Sequence, residues 1–418
     1  MYNNMSIPST IVATRDSAER TGLKTPHGVF NLPTHQARNQ FVPTYDVVRT
    51  FSANSTGSWS TTSEFILTPD QLPHIVDKFT LVLNMAAASK TGGTYIGLVN
   101  DAAWLSRQIE VFIGGELLST IYPERVYLEN LLHQTNESKL KIMTVGGNDT
   151  QAHRRSNAAA GQTLYLDIPI PFIQKYGWQS GQSQAQIRIK VYHNDLSTIV
   201  DTDGTAPVLA FNSVSLNVAG RIYSDPSNVV ALSHMQKKLG KVDQRFLDVV
   251  QQQLSLPSGS TNYVLQLTNL VGLFDHLLFV VRTAASVGTP LANAPDSFVA
   301  VASYNLKDSA GNFILPETAH AYALANYTNK YVTGDGTDVA SGLGTTQKSV
   351  YPVFFGSRPE ESLTKGTQHG FYKFDGLTKL QLTFAAALNA AHVVDVIGYV
   401  WSNVSADANG QVKKSTLI

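Results

Sequence analysis

The sequence predicts an all-β protein built from two tandem jelly-roll β-sandwiches that are joined by a helical linker. Two stretches have the alternating pattern of β-strands, and they flank a segment at 226–254 with helical spacing. Every second residue of 164–172 is apolar, and the second half of the chain repeats this behaviour at 378–384. A period of two places alternate side chains on opposite faces of a sheet, so each half should bury one face of its strands.

Length and composition favour two packed domains over one. The chain has 418 residues, more than a single core usually fills, and 43% of them are hydrophobic. Only 15% are charged, below the roughly 25% of an ordinary soluble domain, and the formal net charge is zero. The balance argues against a sequence-specific nucleic-acid binder, which would show a basic excess. A low surface charge suits extensive contact between protein surfaces.

The patterns divide the chain into five predicted segments. These are an extended N-terminal arm at 1–40, a first jelly roll at 41–225, a helical linker at 226–259, a second jelly roll at 260–405 and a C-terminal tail at 406–418. The arm mixes proline and polar residues without periodicity, so we expect it to become ordered only against something else.

Several elements inside the two rolls have clear signals. Three strands of the first roll show alternating apolar positions: Phe79, Leu81 and Leu83; Ile109, Val111 and Ile113; and Ile187, Ile189 and Val191. Gly114-Gly115 predicts a two-residue turn, and Pro123 suits the first turn of a short helix at 123–133. In the second roll the apolar run 277–281 predicts a strand that is buried on both faces.

The linker helix is predicted from apolar residues that recur at spacings of three and four. Asp225 and Pro226 supply an N-cap and a first-turn proline for it. Its expected packing face consists of Leu232, Met235, Leu239, Val242, Phe246 and Val249. The short seam favours packing against a neighbouring sandwich, and a coiled coil is the alternative.

Three long excursions rich in small and polar residues interrupt the strands, at 87–104, 133–162 and 285–349. Loops of this length in a compact domain usually serve function or assembly. We expect 133–162 and 285–349 to lie at one end of the two rolls.

Metal and redox chemistry have weak support in the sequence. There is no cysteine, and no two of the eleven histidines have the His-x-His or His-x-x-x-His spacing of a cupin or a zincin. The stretches 201–204 and 335–338 resemble fragments of calcium loops, but neither is followed by the bidentate glutamate of such a loop. Asx-Gly turns account for both, and we predict no metal and no cofactor.

Catalytic motifs are equally weak. Glu110 and Glu116 could form a glycosidase pair, but Gly114-Gly115 reverses the chain between them. Neither a Gly-x-Ser-x-Gly elbow nor a phosphate-binding loop is present. Tyr399 and Trp401 could stack on a sugar or a nucleobase, although aromatic residues in strands are usually core or interface residues. The sequence therefore predicts a protein that is not an enzyme.

The order of several segments resembles a known family, the double jelly-roll major capsid proteins of tailless, membrane-containing bacteriophages and of large eukaryotic DNA viruses. The similar segments are Gln108 to Gly115, Pro169 to Phe172, Tyr176 to Trp178, Ile187 to His193, Arg221 to Asp225, Asp275 to Val281, Gly370 to Asp375 and Leu380 to Leu382. They span about 100–405. Charged residues of the eukaryotic-virus proteins around 221–282 are largely absent, which favours a phage-like subgroup.

The resemblance implies a homotrimeric capsomer, in which six jelly rolls form a pseudo-hexagonal tile of an icosahedral virion. It further implies minor capsid and vertex proteins as partners, and an internal viral membrane that the N-terminal arm could contact. No secretory segment opens the chain, so we expect synthesis in the host cytoplasm.

Two alternatives belong to other classes of protein. A viral spike or lectin-like tandem sandwich would bind glycans, and it would need an exposed aromatic platform or a calcium site at its loop tips. An enzyme on a double-sandwich scaffold, such as a peptide-amidase-like or glycoside-processing protein, would need convergent carboxylates or histidines.

Overall fold

The structure, a computed structural model, describes residues 44–99, 102–132, 151–180, 185–224, 241–284, 298–320, 349–355, 370–407 and 411–417. Within these residues strand is the dominant conformation, at 60% against 12% helix. The all-β prediction is confirmed. The predicted arm at 1–40 lies outside the described residues.

Among the described residues, the first roll contains twelve strands. They are β1 (Thr44–Ser52), β2 (Thr62–Leu67), β3 (Ile75–Met85), β4 (Ser89–Thr91), β5 (Ile96–Leu98), β6 (Ser106–Ile113), β7 (Glu116–Ile121), β8 (Gln162–Ile168), β9 (Ile187–His193), β10 (Val200–Thr202), β11 (Thr205–Val208) and β12 (Phe211–Tyr223). Four short strands, β4, β5, β10 and β11, form two small two-stranded sheets, and the other eight form the sandwich.

The described part of the second roll contains ten strands. They are β13 (Lys241–Leu256), β14 (Asn262–Gln266), β15 (Val271–Thr283), β16 (Ser303–Lys307), β17 (Phe313–Ala319), β18 (Val350–Phe354), β19 (Tyr372–Asp375), β20 (Lys379–Thr383), β21 (His392–Asp407) and β22 (Val412–Thr416). β22 pairs with β21, so part of the predicted 406–418 tail belongs to a sheet.

The helices that the structure describes are short. They are α1 (Pro123–Leu132), α2 (Gln151–Ala160), α3 (Pro171–Tyr176) and α4 (Leu196–Ile199), with two 3₁₀ helices at Pro69–Gln71 and Ala102–Leu105. α1 confirms the helix predicted at 123–133, which begins at Pro123 as expected. No helix among the described residues is long and apolar enough to cross a membrane.

The two rolls repeat one strand order. Sheet I of the first roll runs β1-β12-β3-β8, and sheet II runs β2-β9-β6-β7. Sheet III of the second roll runs β13-β21-β15-β18, with β19 and β22 attached, and sheet IV runs β14-β20-β16-β17. Eight strands of each roll form its two main sheets, once β4, β5, β10 and β11 are set aside in the first roll and β19 and β22 in the second. When these eight strands are numbered 1 to 8 along the chain, sheets I and III both have the order 1-8-3-6. Sheets II and IV both have the order 2-7-4-5. This antiparallel double-sheet arrangement is a jelly roll.

The alternation of apolar residues in the sequence identifies the core residues of each sandwich. Ile109, Val111 and Ile113 of β6 are buried, as the period of two predicts. The turn that follows has positive φ at Gly114 (61°) and Gly115 (88°), a conformation that glycine adopts without steric cost. Leu380 and Leu382 of β20 are likewise buried in the second core.

One strand ends earlier than its pattern suggests. The alternation at 164–172 predicts a single strand, but β8 ends at Ile168 and α3 begins at Pro171. Proline has no N–H for the ladder and suits the first turn of a helix. Ile170 and Phe172 are buried even so. The apolar pattern therefore predicts the core residues correctly, but it predicts the wrong conformation for the segment after Ile168.

The linker helix predicted at 226–259 is wrong from Lys241 onward. Residues 241–256 form β13, which pairs in unbroken register with β21 from Lys241↔Asp407 to Leu256↔His392. β13 has buried or half-buried apolar residues on both faces, because a different core lies against each. Such a strand lacks a strict period of two, and its apolar residues fall at spacings of three and four. Residues 225–240 lie outside the described residues, and the division into domains stays a prediction.

The rolls stand side by side with the same ends aligned. One end, called the loop end, holds the last residue of β3, the first residues of β8 and β12, and the last residue of β15. The opposite end, called the base end, holds the first residues of β1 and β13. The excursion at 133–162 follows α1 and re-enters sheet I at the loop end, where β8 begins. The excursion at 285–349 leaves sheet III at the loop end after β15 and re-enters it there at β18. Within them the structure describes α2, β16 and β17.

Candidate functional site: the interface between the two rolls

Sheet III is buried on both faces. Leu277, Phe279 and Val281 of β15 point into the core of the second roll, while Leu278 and Val280 join the core that extends from the first roll. The apolar run 277–281 therefore has the buried environment that the sequence predicts for it. The second face is covered by the first roll of the same chain.

Aromatic contacts close the apolar part of this interface. Phe172 of α3 lies edge-to-face against Phe246 of β13, with ring centroids 5.5 Å apart. Tyr127 of α1 meets Phe298 of the second roll at 6.4 Å, also edge-to-face. Edge-to-face contacts between aromatic rings stabilise the interface by more than the burial of the rings alone. Tyr399 and Trp401 face the first roll and are buried in this shared core.

A buried arginine connects the two rolls at the loop end. Arg282 of β15 donates from Nε to Asp395 Oδ2 at 2.8 Å and from Nη2 to Glu124 Oε1 of α1 at 2.6 Å. Its side chain is 1% exposed and that of Asp395 is 0% exposed. Gln253 donates to the other oxygen of Asp395 at 2.8 Å, and Gln251 reaches Glu124 at 3.4 Å. One cation thus serves two carboxylates that come from different rolls.

Burial and the neighbouring charges shift the pKa values of Asp395 and Arg282 in opposite directions. Burial raises the pKa of Asp395, since a charged carboxylate is costly away from water, while Arg282 pulls that pKa down. Burial would lower the pKa of Arg282, but Asp395 and Glu124 outweigh it and hold that pKa above its ordinary value. The pair is stable only while both partners remain, because either charge alone would be buried without compensation.

A second cluster lies midway along α1. Arg125 donates from Nε to Glu129 Oε1 at 2.9 Å and from Nη2 to the carbonyl of Pro169 at 3.1 Å. Tyr399 of β21 donates to the same oxygen of Glu129 at 3.3 Å. The ring of His276 stacks on Tyr399 with centroids 4.0 Å apart. α1 therefore contacts sheet III through charged residues on two successive turns.

A third contact fixes the last strand to the first roll. Lys414 of β22 forms an ion pair of 2.5 Å with Asp248 Oδ2 of β13, and it donates to the carbonyl of Leu118 in β7 at 2.7 Å. The backbone N–H of Lys414 also donates to Glu116 at 3.3 Å. Glu116, considered above for a glycosidase pair, therefore supports the interface.

The other carboxylates singled out in the sequence have structural partners. Glu110 accepts hydrogen bonds from Tyr192 at 2.9 Å and from Gln108 at 2.8 Å. Asp203 accepts from the hydroxyl and N–H of Thr94 and from the N–H of Tyr95, and these bonds hold its pKa far below the usual range. The stretch 335–338 lies outside the described residues. Within the described part of the chain, no three metal-ligating side chains cluster together.

The packing face predicted for the linker helix is not a helical face where the structure describes it. Phe246 and Val249 lie on β13, where Phe246 is buried at the interface, and Val242 belongs to the same strand. Leu232, Met235 and Leu239 lie outside the described residues. Sequence reasoning missed Glu124, Arg282 and Asp395, the residues that connect the rolls.

The chain matches no protein-family model and no curated protein by sequence. Solved structures do match it. The VP54 protein of PBCV-1, fitted into a reconstruction of the virophage Sputnik, is 10% identical with a TM-score of 0.64, and the match covers 90% of this chain and 97% of that one. The Faustovirus major capsid protein is 9% identical with a TM-score of 0.58, covering 95% and 97%. The mavirus major capsid protein is 12% identical with a TM-score of 0.51, covering 93% and 94%.

These similarities span both rolls and nearly the full length of each matched chain. At such low identity they establish the fold. The chain therefore has the double jelly-roll fold of viral major capsid proteins, as its sequence predicts. Membership of a phage-like subgroup stays a prediction.

Proposed function

We propose that this chain is a major capsid protein that forms homotrimeric, pseudo-hexagonal capsomers of an icosahedral virion. The observation that carries the proposal is the likeness of both rolls, side by side in one chain, to major capsid proteins over 90% or more of the chain. Three chains would then place six similar rolls in one tile.

The interface between the rolls supports this role. A tile in a lattice must keep its two rolls in a fixed relative orientation. Buried ion pairs between the rolls favour one orientation, because any other orientation leaves buried charges unpaired. Arg282, which binds Asp395 of its own roll and Glu124 of the first, supplies such a restraint at the loop end. Lys414 of β22 adds hydrogen bonds to Leu118 and Glu116 of the first roll.

The glycan-binding alternative loses its aromatic candidates. Tyr399 and Trp401 are each 3% exposed and cannot offer a platform to a sugar ring. A non-enzymatic structural role in the virion, with minor capsid and vertex proteins as partners and a membrane contact through the N-terminal arm, completes the proposal.

The test is the mass and shape of the purified protein. Native mass spectrometry in mild salt should give about three times the 45.4 kDa chain mass, because obligate interfaces of about 2,000 Å² or more hold at micromolar concentration. Electron micrographs should show hexagonal tiles or shells. A dominant, well-folded monomer would overturn the trimer and favour the glycan-binding module instead.

A further inference from the structure

We propose that the side chains of Lys414 and Asp248 become joined by a covalent amide bond, which the folded chain forms by itself. The inference goes beyond the proposed function, because it concerns the chemistry of one chain and holds whatever that chain assembles into. It starts from the ion pair that fixes β22 and from the groups that surround this pair.

The two groups lie on one face of sheet III. The register between β13 and β21 pairs Asp248 with Val400, and the register between β21 and β22 pairs Lys414 with Val404. Directly paired residues share a face, and so do residues two or four apart in one strand. Lys414 Nζ therefore reaches Asp248 Oδ2 across β21, at 2.5 Å. Two reacting groups held together in this way react as if at an effective concentration of about 10⁵ M or more.

Apolar side chains surround the pair. The side chain of Asp248 is 3% exposed. Val400 and Val404 share its face and are 0% and 2% exposed, and Phe246 on that face is 1% exposed. The ion pair keeps two charges out of water in these surroundings, which is costly, whereas an amide has no charge. Burial therefore favours the amide over the ion pair.

The hydrogen-bonding groups of the site also suit an amide. Lys414 Nζ donates to the carbonyl of Leu118 at 2.7 Å, and the one hydrogen that an amide nitrogen keeps can maintain this bond. Asp248 Oδ1, the future amide oxygen, is buried and has no hydrogen-bond partner among the described residues. The same holds for Ser402 Oγ, which lies diagonally across from Asp248 on the same face. A hydroxyl in this position can donate to the amide oxygen.

Arg125 supplies positive charge where the reaction develops negative charge. It lies close enough to Asp248 for the two charges to interact, and its Nη1 is buried without a partner in the described part of the chain. Its Nε and Nη2 donate to Glu129 at 2.9 Å and to the carbonyl of Pro169 at 3.1 Å, so the guanidinium is held in place. A fixed, buried cation of this kind stabilises a developing oxyanion.

The reaction is a condensation that needs no co-reactant. Lys414 Nζ passes one proton to Asp248 Oδ2, and the free amine then attacks Cγ of the acid. The new N–C bond places a negative charge on Oδ1. The bond from Cγ to Oδ2 then breaks, a second proton moves from the nitrogen to Oδ2, and water leaves. One hydrogen stays on the nitrogen, and the product is a neutral amide.

The intact mass of the chain under denaturing conditions tests the proposal. The folded, unmodified chain should weigh less than its sequence by the mass of one water. Trypsin cuts after Arg245, Arg282 and Lys413. The digest should therefore contain residues 246–282 joined to residues 414–418. The full sequence mass after prolonged incubation of the folded chain would overturn the proposal, and so would a water loss that the digest places elsewhere, such as a succinimide at an Asp-Gly step.

Two variants and one natural ion pair serve as controls. Lys414→Arg keeps the positive charge but replaces the amine by a guanidinium, which is a poor nucleophile, so this variant should keep its full mass. Lys413→Arg changes the adjacent, exposed lysine and should lose one water like the unmodified chain. Lys78 and Asp167 are also 2.5 Å apart, but their side chains are 42% and 40% exposed, and they should stay unlinked.

A denaturing gel gives an independent result. The amide closes residues 248–414 into a covalent ring, which makes the unfolded chain more compact. The unmodified chain and Lys413→Arg should therefore migrate faster than Lys414→Arg. Equal migration of all three, each at its full sequence mass, would mean that Lys414 and Asp248 form an ion pair only.

Discussion

Arg282 of the second roll and Glu124 of the first lie 158 residues apart in the chain and 2.6 Å apart in space. The bond crosses the interface between the rolls, and the same guanidinium neutralises Asp395 behind it. The buried charge of Arg282 is therefore compensated by carboxylates from both rolls.

We expect Arg282→Met to lower the free energy of unfolding by about 3–5 kcal/mol, the usual cost of removing one partner from a buried ion pair. The reason is that Asp395 would remain buried without its cation. Urea unfolding measures the change. The matched control is Arg221→Met, whose pair with Asp77 is more than a third exposed and should cost at most about 1 kcal/mol. Equal effects in the two variants would contradict this account.

A companion variant separates charge from packing. Arg282→Met combined with Asp395→Leu removes the two most deeply buried charges and leaves Glu124, which is 15% exposed. Such apolar replacements are often neutral or stabilising. We expect the double variant to recover most of the loss. If it is as unstable as Arg282→Met alone, the loss comes from packing or from Glu124 without its cation.

His193 predicts acid sensitivity of the first roll. Burial lowers the pKa of His193 to about 4, and its Nε2 lies 2.7 Å from Ser63 Oγ in the interior. The unfolded chain takes up the proton near pH 6.5 and the folded chain does so only near pH 4. Stability should therefore fall as the pH drops from about 6.5 to 4, by up to about 3 kcal/mol from this residue.

His193→Gln tests that contribution. The variant cannot titrate at this position, so its unfolding free energy should fall less than that of the unmodified chain between pH 7 and pH 4.5. Urea unfolding at the two values gives the difference. Parallel pH profiles for the two proteins would exclude His193 as the source.

The strand β13 can be tested by a disulfide, since the chain has no cysteine of its own. Arg245 pairs with Asn403 in the register between β13 and β21. Arg245→Cys with Asn403→Cys should crosslink under mild oxidation, because facing residues on paired strands have the Cα separation that a disulfide requires. Arg245→Cys with Val393→Cys, ten residues further along β21 and about 33 Å away, should not. Failure of the first pair would favour the helix.

The loop end should form the outer surface of assembled particles. The excursions at 133–162 and 285–349 join the sheets there, and long connections of this kind usually lie on accessible surfaces. Limited proteolysis of intact particles should therefore cut these segments first. Cleavage mainly within 1–40 would place the loop end elsewhere.

Strands with one buried face could be predicted from alternation. Of the strands with two buried faces, β15 could be predicted from its continuous apolar run, and β13, which has no such run, could not. β6 alternates because water or polar neighbours lie on one side of it, and its pattern gives both its conformation and its core residues. β13 lies between two cores, so its apolar residues are not confined to alternate positions. The helix α1 was predictable because Pro123 marks its start locally.

The residues that connect the rolls could not be predicted from the sequence, for a related reason. Asp395 sits between Val394 and Val396, and a charged residue in an alternating strand normally faces solvent. Alternation assigns the residue to a face, but it does not tell what covers that face. Only the three-dimensional arrangement brings Arg282, 113 residues away in the chain, to its carboxylate.

The pairing of β13 with β21 has a consequence for synthesis. β21 lies between β13 and β15, and sheet III cannot form without it. The first roll leaves the ribosome before β21 is made, so Glu124 and Phe172 then lack their partners in the second roll. A nascent chain therefore exposes apolar surface on its first roll while the second roll is being synthesised. Chaperones that shield apolar surface would act on it in that interval.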